Sequence, residues 1–567
     1  MKIRKLVIKN FRGIQELNWD LPDKNVFCLI GKGDSSKSTI LEAIRYVFYP
    51  QWNLTFSDSD FFECNNDNLI QIEATIGNIL EEFYSIEKYG NYLRGWNIND
   101  LKLVDEPDDD HPENVLTIRL SVSKDLEPFW EVICDRADGK AFKYNDRDKV
   151  AVSLIGTYSD KQLTWASGTP LSKLTESKKL DESLLEATRA AKSSLDLKRD
   201  TTLKSFDEAA TKSEKVAKLL GVPIKTSYKA HLDITNTNIK IGGLTLHDGD
   251  MPLRLLGLGS RRMLLCGIQK LGLNEKHITL FDEVEFGLEP HRIARLLKHI
   301  KEDLTGQYFL TTHSPMVLKE LTIDDLYIIH NKAGIVEITT CSKSEFIDFN
   351  IQGKLRSCAE AFLSEKVVIC EGATEVGFLR GLDDFWINSG EDSFSYLGVA
   401  LLDANGGSKI KSLATGFKAL SYPAFVLADG DVPKDFSITD ASKLESIGVK
   451  VLIWSDDLAL EQRAMFDLPW EYVLKSVNLA ENIFGCPVYE NVHSKYLALI
   501  DKDSKKWLDT IELRKAIGDA AKASSWFKNI SKSEQWANEV SPAFLDLEFL
   551  KTDFAVKLNL LSKSLRA

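Results

Sequence analysis

The run CLIGKGDSSKSTILEAI, Cys28 to Ile44, constrains this chain more than any other stretch. An apolar segment, VFCLI, stops at Gly31, and a short polar turn comes after it. KSTILEAIRYVF then resumes with apolar residues at the three- and four-residue spacing of a helix packed on a sheet. Strand, turn and helix in that order seed an α/β domain. Such a turn aims backbone N–H groups and the positive end of a helix at one point, where phosphate oxygens sit well. The pattern for a loop of this kind is G-x-x-x-x-G-K-[ST], and Ser36 stands where the second glycine belongs. Gly31, Gly33, Asp34, Ser35, Ser36, Lys37, Ser38 and Thr39 form the expected cradle. Lys37 would reach the β- and γ-phosphates, and Ser38 would hold Mg2+ through its hydroxyl. The Ser36 side chain is expected to lie near the phosphates and to alter the loop.

Two later segments give that turn company. HITLFDEVEFGLEPHR is an apolar strand ending in Asp282 and Glu283. Asp282 can complete a Mg2+ shell and Glu283 can polarise an attacking water; a pair of solvated carboxylates capping a strand is the plain alternative. YFLTTHSP then sets His313 at the end of another strand, where it could sense a γ-phosphate or serve structure alone. Between loop and acids, LRLLGLGSRRML places Gly257 and Gly259 in a turn entering an apolar helix. That turn can offer N–H groups to a nucleotide bound on a second subunit. The order of the pieces carries more weight than any one of them.

In this order the segments resemble the ATPase head of the ABC class, which includes SMC proteins and RecF-like repair factors. IKNFRGI near the N-terminus is similar to the opening strand of those heads. The resemblance implies a Walker B pair at Asp282 and Glu283, a switch histidine at His313, and a signature loop at Gly257 and Gly259. Leu256 stands where the signature serine is usual. It further implies ATP as ligand and a homodimer or larger assembly closed around two nucleotides. The change at Ser36 bears on turnover more than on binding, because Lys37, Ser38 and both acids remain.

A second constellation lies in the other half. VVICEGATEVGFL is an apolar strand ending at Glu371, then a glycine turn, then Glu375 entering a helix; AFVLADGDVP ends another strand with Asp429 and Asp431. Side chains two apart on extended backbone share a direction. Strand-end acids gathered at one edge of a parallel sheet can hold hydrated Mg2+ (or Mn2+), and two such ions can serve phosphodiester cleavage. The alternative is an acidic rim without metal. The pattern E-G-x-x-E followed by D-x-D resembles the TOPRIM domain of topoisomerases, primases and OLD-family (overcoming lysogenization defect) nucleases. By that resemblance LLDANGGSKI brings Asp403 and Gly407 near the site, LALEQRAMFDLPW supplies Glu461 as a later acid, and SSWFKNISKSEQW supplies Lys528 as a late catalytic lysine.

The chain of 567 residues is long enough for about two to four domains. The expected layout is α/β: an ABC-type ATPase head over 1–345 with a helical arm inserted at about 175–225, a connector at 346–364, a TOPRIM nuclease core over 365–480, and C-terminal helices over 481–567 completing it. Head followed by TOPRIM is the layout of OLD-family nucleases, to which Gabija nuclease subunits and some retron-associated effectors are similar. The resemblance implies an ATP-binding, metal-dependent DNA endonuclease gated by nucleotide state and used in anti-phage defence. Its partners would be DNA, double-stranded by expectation, and a neighbour-encoded helicase or retron reverse transcriptase. A net charge of −13 lowers the expectation of nucleic-acid binding without excluding it, since local basic patches still bind phosphate. Eight cysteines with no C-x-x-C pair suit a reducing cytoplasm. No apolar run reaches the ~18 residues of a membrane span, and MKIRKLVIKNFRG turns charged too soon for a signal peptide. Three alternatives stay open: an ATP-binding sensor or scaffold, a topoisomerase or primase, and an enzyme acting on RNA.

Overall fold

Five of the apolar runs line up side by side. In the computed structural model the strands Val152–Ile155, Ile278–Phe281, Gln307–Thr311, Val26–Ile30 and Leu326–Lys332 are neighbours in that order and all run parallel. Every residue of Val26–Ile30 is buried, as a central strand covered on both faces requires. Parallel pairing sets all five carboxyl ends at one edge, the usual place for a ligand in an open α/β sheet. The structure describes residues 1–51, 53–150, 152–156, 163–165, 169, 171, 174, 204–232, 244–272, 277–340, 351–496 and 500–566.

The chain divides into two compact units, Met1–Thr340 and Cys341–Ala567. In the first, the sheet changes character beyond Leu326–Lys332. Ile335–Thr340 turns back antiparallel and pairs parallel with Ile14–Asp20, from which Lys2–Phe11, Ile70–Gly77 and Glu113–Val122 extend the sheet by antiparallel pairing. Stacked Phe27 and Phe309, with ring centres 5.0 Å apart and Trp19 edge-on to both, mark the core under the parallel part. A smaller three-stranded sheet, Tyr228–Leu232, Leu244–Asp248 and Met251–Pro252, shares a second core with the helices Lys204–Leu219 and Leu258–Gly272. Residues 175–203 of the expected arm lie outside the described residues. In the helix Lys204–Leu219, the side chains of Phe206, Ala209, Ala210 and Ala217 are buried while Lys212, Lys215 and Lys218 face solvent.

In the second unit the strands Val399–Asp403, Lys366–Cys370, Ala424–Ala428 and Lys450–Ile453 form a wholly parallel sheet in that order. The helix Ala373–Asn388 comes after the strand Lys366–Cys370 and packs closely on the helix Ile530–Val540. Gly377 and Gly381 make this approach possible: a Cβ at either would strike the backbone carbonyl of Ile530 or Glu534. Ser533 donates to the Thr374 carbonyl at 2.6 Å, and Trp536 stacks on Phe527 at 4.2 Å. The C-terminal helices therefore share one core with the parallel sheet. The molecule is α/β, a large mixed sheet and a small parallel one with helices at the C-terminal end.

Candidate nucleotide and metal sites

Adjacent parallel strands deliver the carboxylates of the second unit to one edge. Cys370 and Leu427 are register partners, so Glu371 and Asp429 emerge together although 58 residues separate them. Glu371 accepts the Asp429 N–H at 3.0 Å, and Gly407 leaves so little room that a Cβ there would lie 3.3 Å from Glu371 Oε1. Glu375 caps the N-terminus of its own helix by accepting the Gly372 N–H at 2.7 Å. Asp429 Oδ1 accepts the Leu460 N–H at 2.9 Å, which anchors the helix Leu460–Asp467 and with it Glu461.

Glu375 and Glu461 are only 3 % and 7 % exposed. Burial, then the neighbouring Glu461, pushes the Glu375 carboxyl up to about 8. Burial raises Asp429 well above the usual carboxylate range, and Glu375, Glu371 and Glu461 add to the shift. Burial raises Glu371 and Glu461 as well, opposed at Glu461 by Lys528. These four acids form one repelling cluster.

The other expected members sit differently. The strand ends at Ala428, so the alternation expected to align Asp429 with Asp431 no longer applies. Asp431 instead pairs with Lys522 of the helix Ile511–Ala523. Lys528 is exposed, within electrostatic reach of Glu461. Asp403 ends the strand next to Lys366–Cys370 and accepts the Asn405 N–H at 2.6 Å, closing the turn that leads to Gly407.

In the first unit, the Gly31 loop passes straight into the helix Lys37–Val47. Lys37 is folded onto its own loop: its Nζ donates to the Gly31 carbonyl at 2.9 Å, the Lys32 carbonyl at 2.5 Å and Ser35 Oγ at 3.1 Å. Burial pushes the Lys37 ammonium down to about 8, with Asp282 and Asp34 opposing. The Ser38 hydroxyl donates to Asp282 Oδ1 at 2.9 Å, and the Thr311 hydroxyl donates to the same oxygen at 2.7 Å. Thr311 also accepts the Glu283 N–H at 2.8 Å. The expected Mg2+ pair, Ser38 and Asp282, is thus in contact. Glu283 and His313 are exposed on adjacent strand ends, and the His313 N–H donates to Glu285 at 2.8 Å. Gly257 faces open space, whereas a Cβ at Gly259 would strike the Gly287 carbonyl in the turn after the acid pair.

Ser36 departs from expectation. Its backbone is left-handed, φ 72°, the conformation for which the loop pattern favours glycine. Its side chain does not lie among the loop amides: Asn331 Nδ2 donates to Ser36 Oγ at 2.8 Å, and Ser36 Oγ lies 3.4 Å from the Gly13 carbonyl. The hydroxyl is drawn away toward the N-terminal hairpin.

Three family matches run along the chain in the order of these sites. They are AAA ATPase domain over residues 1–131, AAA domain, putative AbiEii toxin, Type IV TA system over 171–319, and Overcoming lysogenization defect protein-like, TOPRIM domain over 362–431. The last spans Glu371, Glu375, Asp429 and Asp431. Endonuclease GajA of Bacillus cereus (strain VD045) is 24% identical over 451 residues, 76% of this chain and 75% of that one. Together these matches support an OLD-family ATPase–TOPRIM protein. Among solved structures, the Smc head domain with an extended coiled coil bound to the C-terminal domain of ScpA, from Pyrococcus furiosus, is similar to 62% of this chain at 14% identity, 99% of that chain and TM-score 0.39. The SMC head domain from Thermotoga maritima matches 60% of it at 15% identity, 99% of that chain and TM-score 0.31.

The matched ATPase and TOPRIM domains imply, in general, use of a nucleotide and of a divalent metal. Among the described residues no three acid, histidine or cysteine side chains converge as a ready cation cage. The donor set of the TOPRIM edge nevertheless fits a hard cation: it is all carboxylate oxygen, buried at Glu375 and Glu461 and half-buried at Glu371 and Asp429. In the head, the pair Ser38 and Asp282 is the equivalent oxygen set.

Several residues of the two sites escaped sequence reasoning. Thr311 and Glu285 knit the strand ends together. Arg262, fully buried, donates to the Asp282 carbonyl at 2.8 Å and so ties the glycine-turn helix to the acid pair. A cation in the apolar run SRRMLL was the available signal for it. Lys522 and Asn331 had none, because their partners are distant in sequence.

Proposed function

We propose that this chain is an ATP-binding, divalent-metal-dependent DNA endonuclease whose cutting is gated by nucleotide state, acting in anti-phage defence in the cytoplasm. Residues 1–345 are the head, and 365–480 with 481–567 are the nuclease. The observation that carries the reading is the cluster of Glu371, Glu375, Asp429 and Glu461 at one sheet edge, two of them buried and two half-buried, all with proton affinity raised by burial. Support comes also from the relative named as an endonuclease.

Glu371, Asp429 and Glu375 would hold Mg2+ or Mn2+, with Asp431 joining once Lys522 releases it. When bound, such a cation supplies Lewis acidity at the phosphodiester. The chain's own contribution is positional. Asp429 is fixed by the Leu460 amide, Glu371 by the Asp429 amide, and Lys528 stands beside Glu461 where it can meet phosphate charge. In the head, Lys37 exchanges its loop carbonyls for β- and γ-phosphate, and Glu283 faces the place of an attacking water. The substrate is double-stranded DNA, the assembly a homodimer or higher, and the partner a protein encoded nearby.

The test is nicking and linearisation of a supercoiled plasmid with Mg2+ or Mn2+, by wild type and by Asp429→Ala. Loss of cleavage in the variant is expected; full cleavage by Asp429→Ala would remove the nuclease reading. RNA and nucleoside triphosphate substrates in parallel separate it from an RNA-acting or primase alternative.

A further inference from the structure

The structure assigns Asn331 as a positioning residue for the nucleotide loop: it holds the Ser36 side chain out of the phosphate cradle, so that a serine serves where the loop needs glycine. The inference rests on the reading that the head binds ATP.

The need for such a device arises from Ser36 itself. A left-handed residue with a side chain is strained relative to one without a Cβ, and Ser36 adopts φ 72°, ψ 18° at the junction of loop and helix. The loop's own cation, Lys37, is engaged with Gly31, Lys32 and Ser35 rather than with the Ser36 hydroxyl. The restraint comes from across the sheet. Asn331, near the end of the strand Leu326–Lys332 that pairs with Val26–Ile30, donates from Nδ2 to both Ser36 Oγ and the Gly13 carbonyl at 2.8 Å. Its Oδ1 accepts the Gly334 N–H at 2.8 Å, which fixes the amide's orientation. Gly13 completes the seat, for a Cβ there would lie 3.1 Å from Ser36 Oγ. Loop, N-terminal hairpin and the hairpin after Asn331 therefore meet on one hydroxyl, although Ser36 and Asn331 are 295 residues apart in sequence.

The experiment is a cycle in the full-length protein, read by titration with a fluorescent ATP analogue and Mg2+. Asn331→Ala should weaken binding about tenfold in the chain that carries Ser36, the scale of one lost hydrogen bond and a displaced side chain. Combined with Ser36→Gly, the same change should cost less than about twofold, because no side chain remains to be held. Gly13→Ala is the second, independent probe: it should weaken binding with Ser36 present and be silent with Ser36→Gly. Equal losses in both backgrounds, for either probe, would show a merely structural role and overturn the assignment alone. Absence of saturable binding by wild type would overturn it together with the ATP reading.

Discussion

The two sites handle charge in opposite ways. At the nucleotide loop the central charged groups have partners supplied by the chain: Lys37 lies on loop carbonyls, and Asp282 accepts two hydroxyls. At the TOPRIM edge four carboxyl groups crowd together, with backbone amides rather than cations on three of them. A buried charge without a counter-charge shifts its proton affinity instead of staying ionised. In the head each central charge is thus satisfied by neutral groups of the chain, whereas at the second site Lys522 and Lys528 only partly offset the carboxyl groups, and protons or a divalent ion must supply the rest. The difference teaches where each ligand does its work: in the head it competes with internal contacts, and at the carboxylates it relieves repulsion.

The sharpest way to break this contrast is to exchange the losses. Glu371→Ala combined with Asp429→Ala should lower plasmid cleavage by about a hundredfold or more, on the scale of removing an electrostatic group from a reacting centre, while ATP affinity stays within about twofold. If ATP affinity fell with it, the two sites would not be separable. Lys37→Ala should weaken ATP binding by about ten- to a hundredfold, the value of a charge-assisted hydrogen bond, measured by the same nucleotide titration. Unchanged affinity would mean that the folded-over lysine never leaves its carbonyls.

Smaller effects sharpen the electrostatic half. Glu375 titrates near 4.5 when unperturbed and at about 8 in the fold. Between those values the native chain binds more protons than the unfolded one, so stability without metal falls as pH rises through that window. A divalent ion displaces those protons, and its affinity rises over the same range. Mg2+ should therefore raise the melting temperature by a few degrees at pH 8, about 3 °C on the scale of 1 kcal/mol in a protein of this kind, and by less at pH 5.5. A larger shift at pH 5.5 would contradict the charge assignment. The least effect is expected from Glu375→Gln, which keeps an oxygen for the Gly372 amide but removes a charge. It should melt about 1–2 °C higher than wild type at pH 8 without metal and respond less to Mg2+; a lower melting point would mean that Glu375 serves mainly as a cap.

What the sequence disclosed depended on how local each signal was. The strand-to-turn junctions at Gly31, Asp282, His313, Glu371 and Asp429 were legible because a buried parallel strand is a short apolar run that stops at a polar or glycine residue. Their meeting at two sheet edges is then a product of parallel pairing. The antiparallel strands between Arg94 and Ala141 were not legible, since turns and partly exposed faces blur their alternation. The pairing of Asp431 with Lys522 was not legible, because the strand stops at Ala428 and the two-residue alternation no longer fixes the side chains beyond it. Asn331 and Lys522 contact Ser36 and Asp431 from far along the chain, and a contact of that range leaves no mark on neighbouring residues.

The paired glycines of Ala373–Asn388 carry a genetic consequence. Because Gly377 and Gly381 are filled by the backbone of Ile530–Val540, the carboxylate edge is completed only when translation has passed that helix, well beyond the last acid of the cluster. A stop codon or frameshift shortly before Ile530 would leave every acid of the cluster in the product yet strip the support from the helix that presents Glu375. A truncation between the acids and Ile530 should then be as damaging as one that removes the acids themselves.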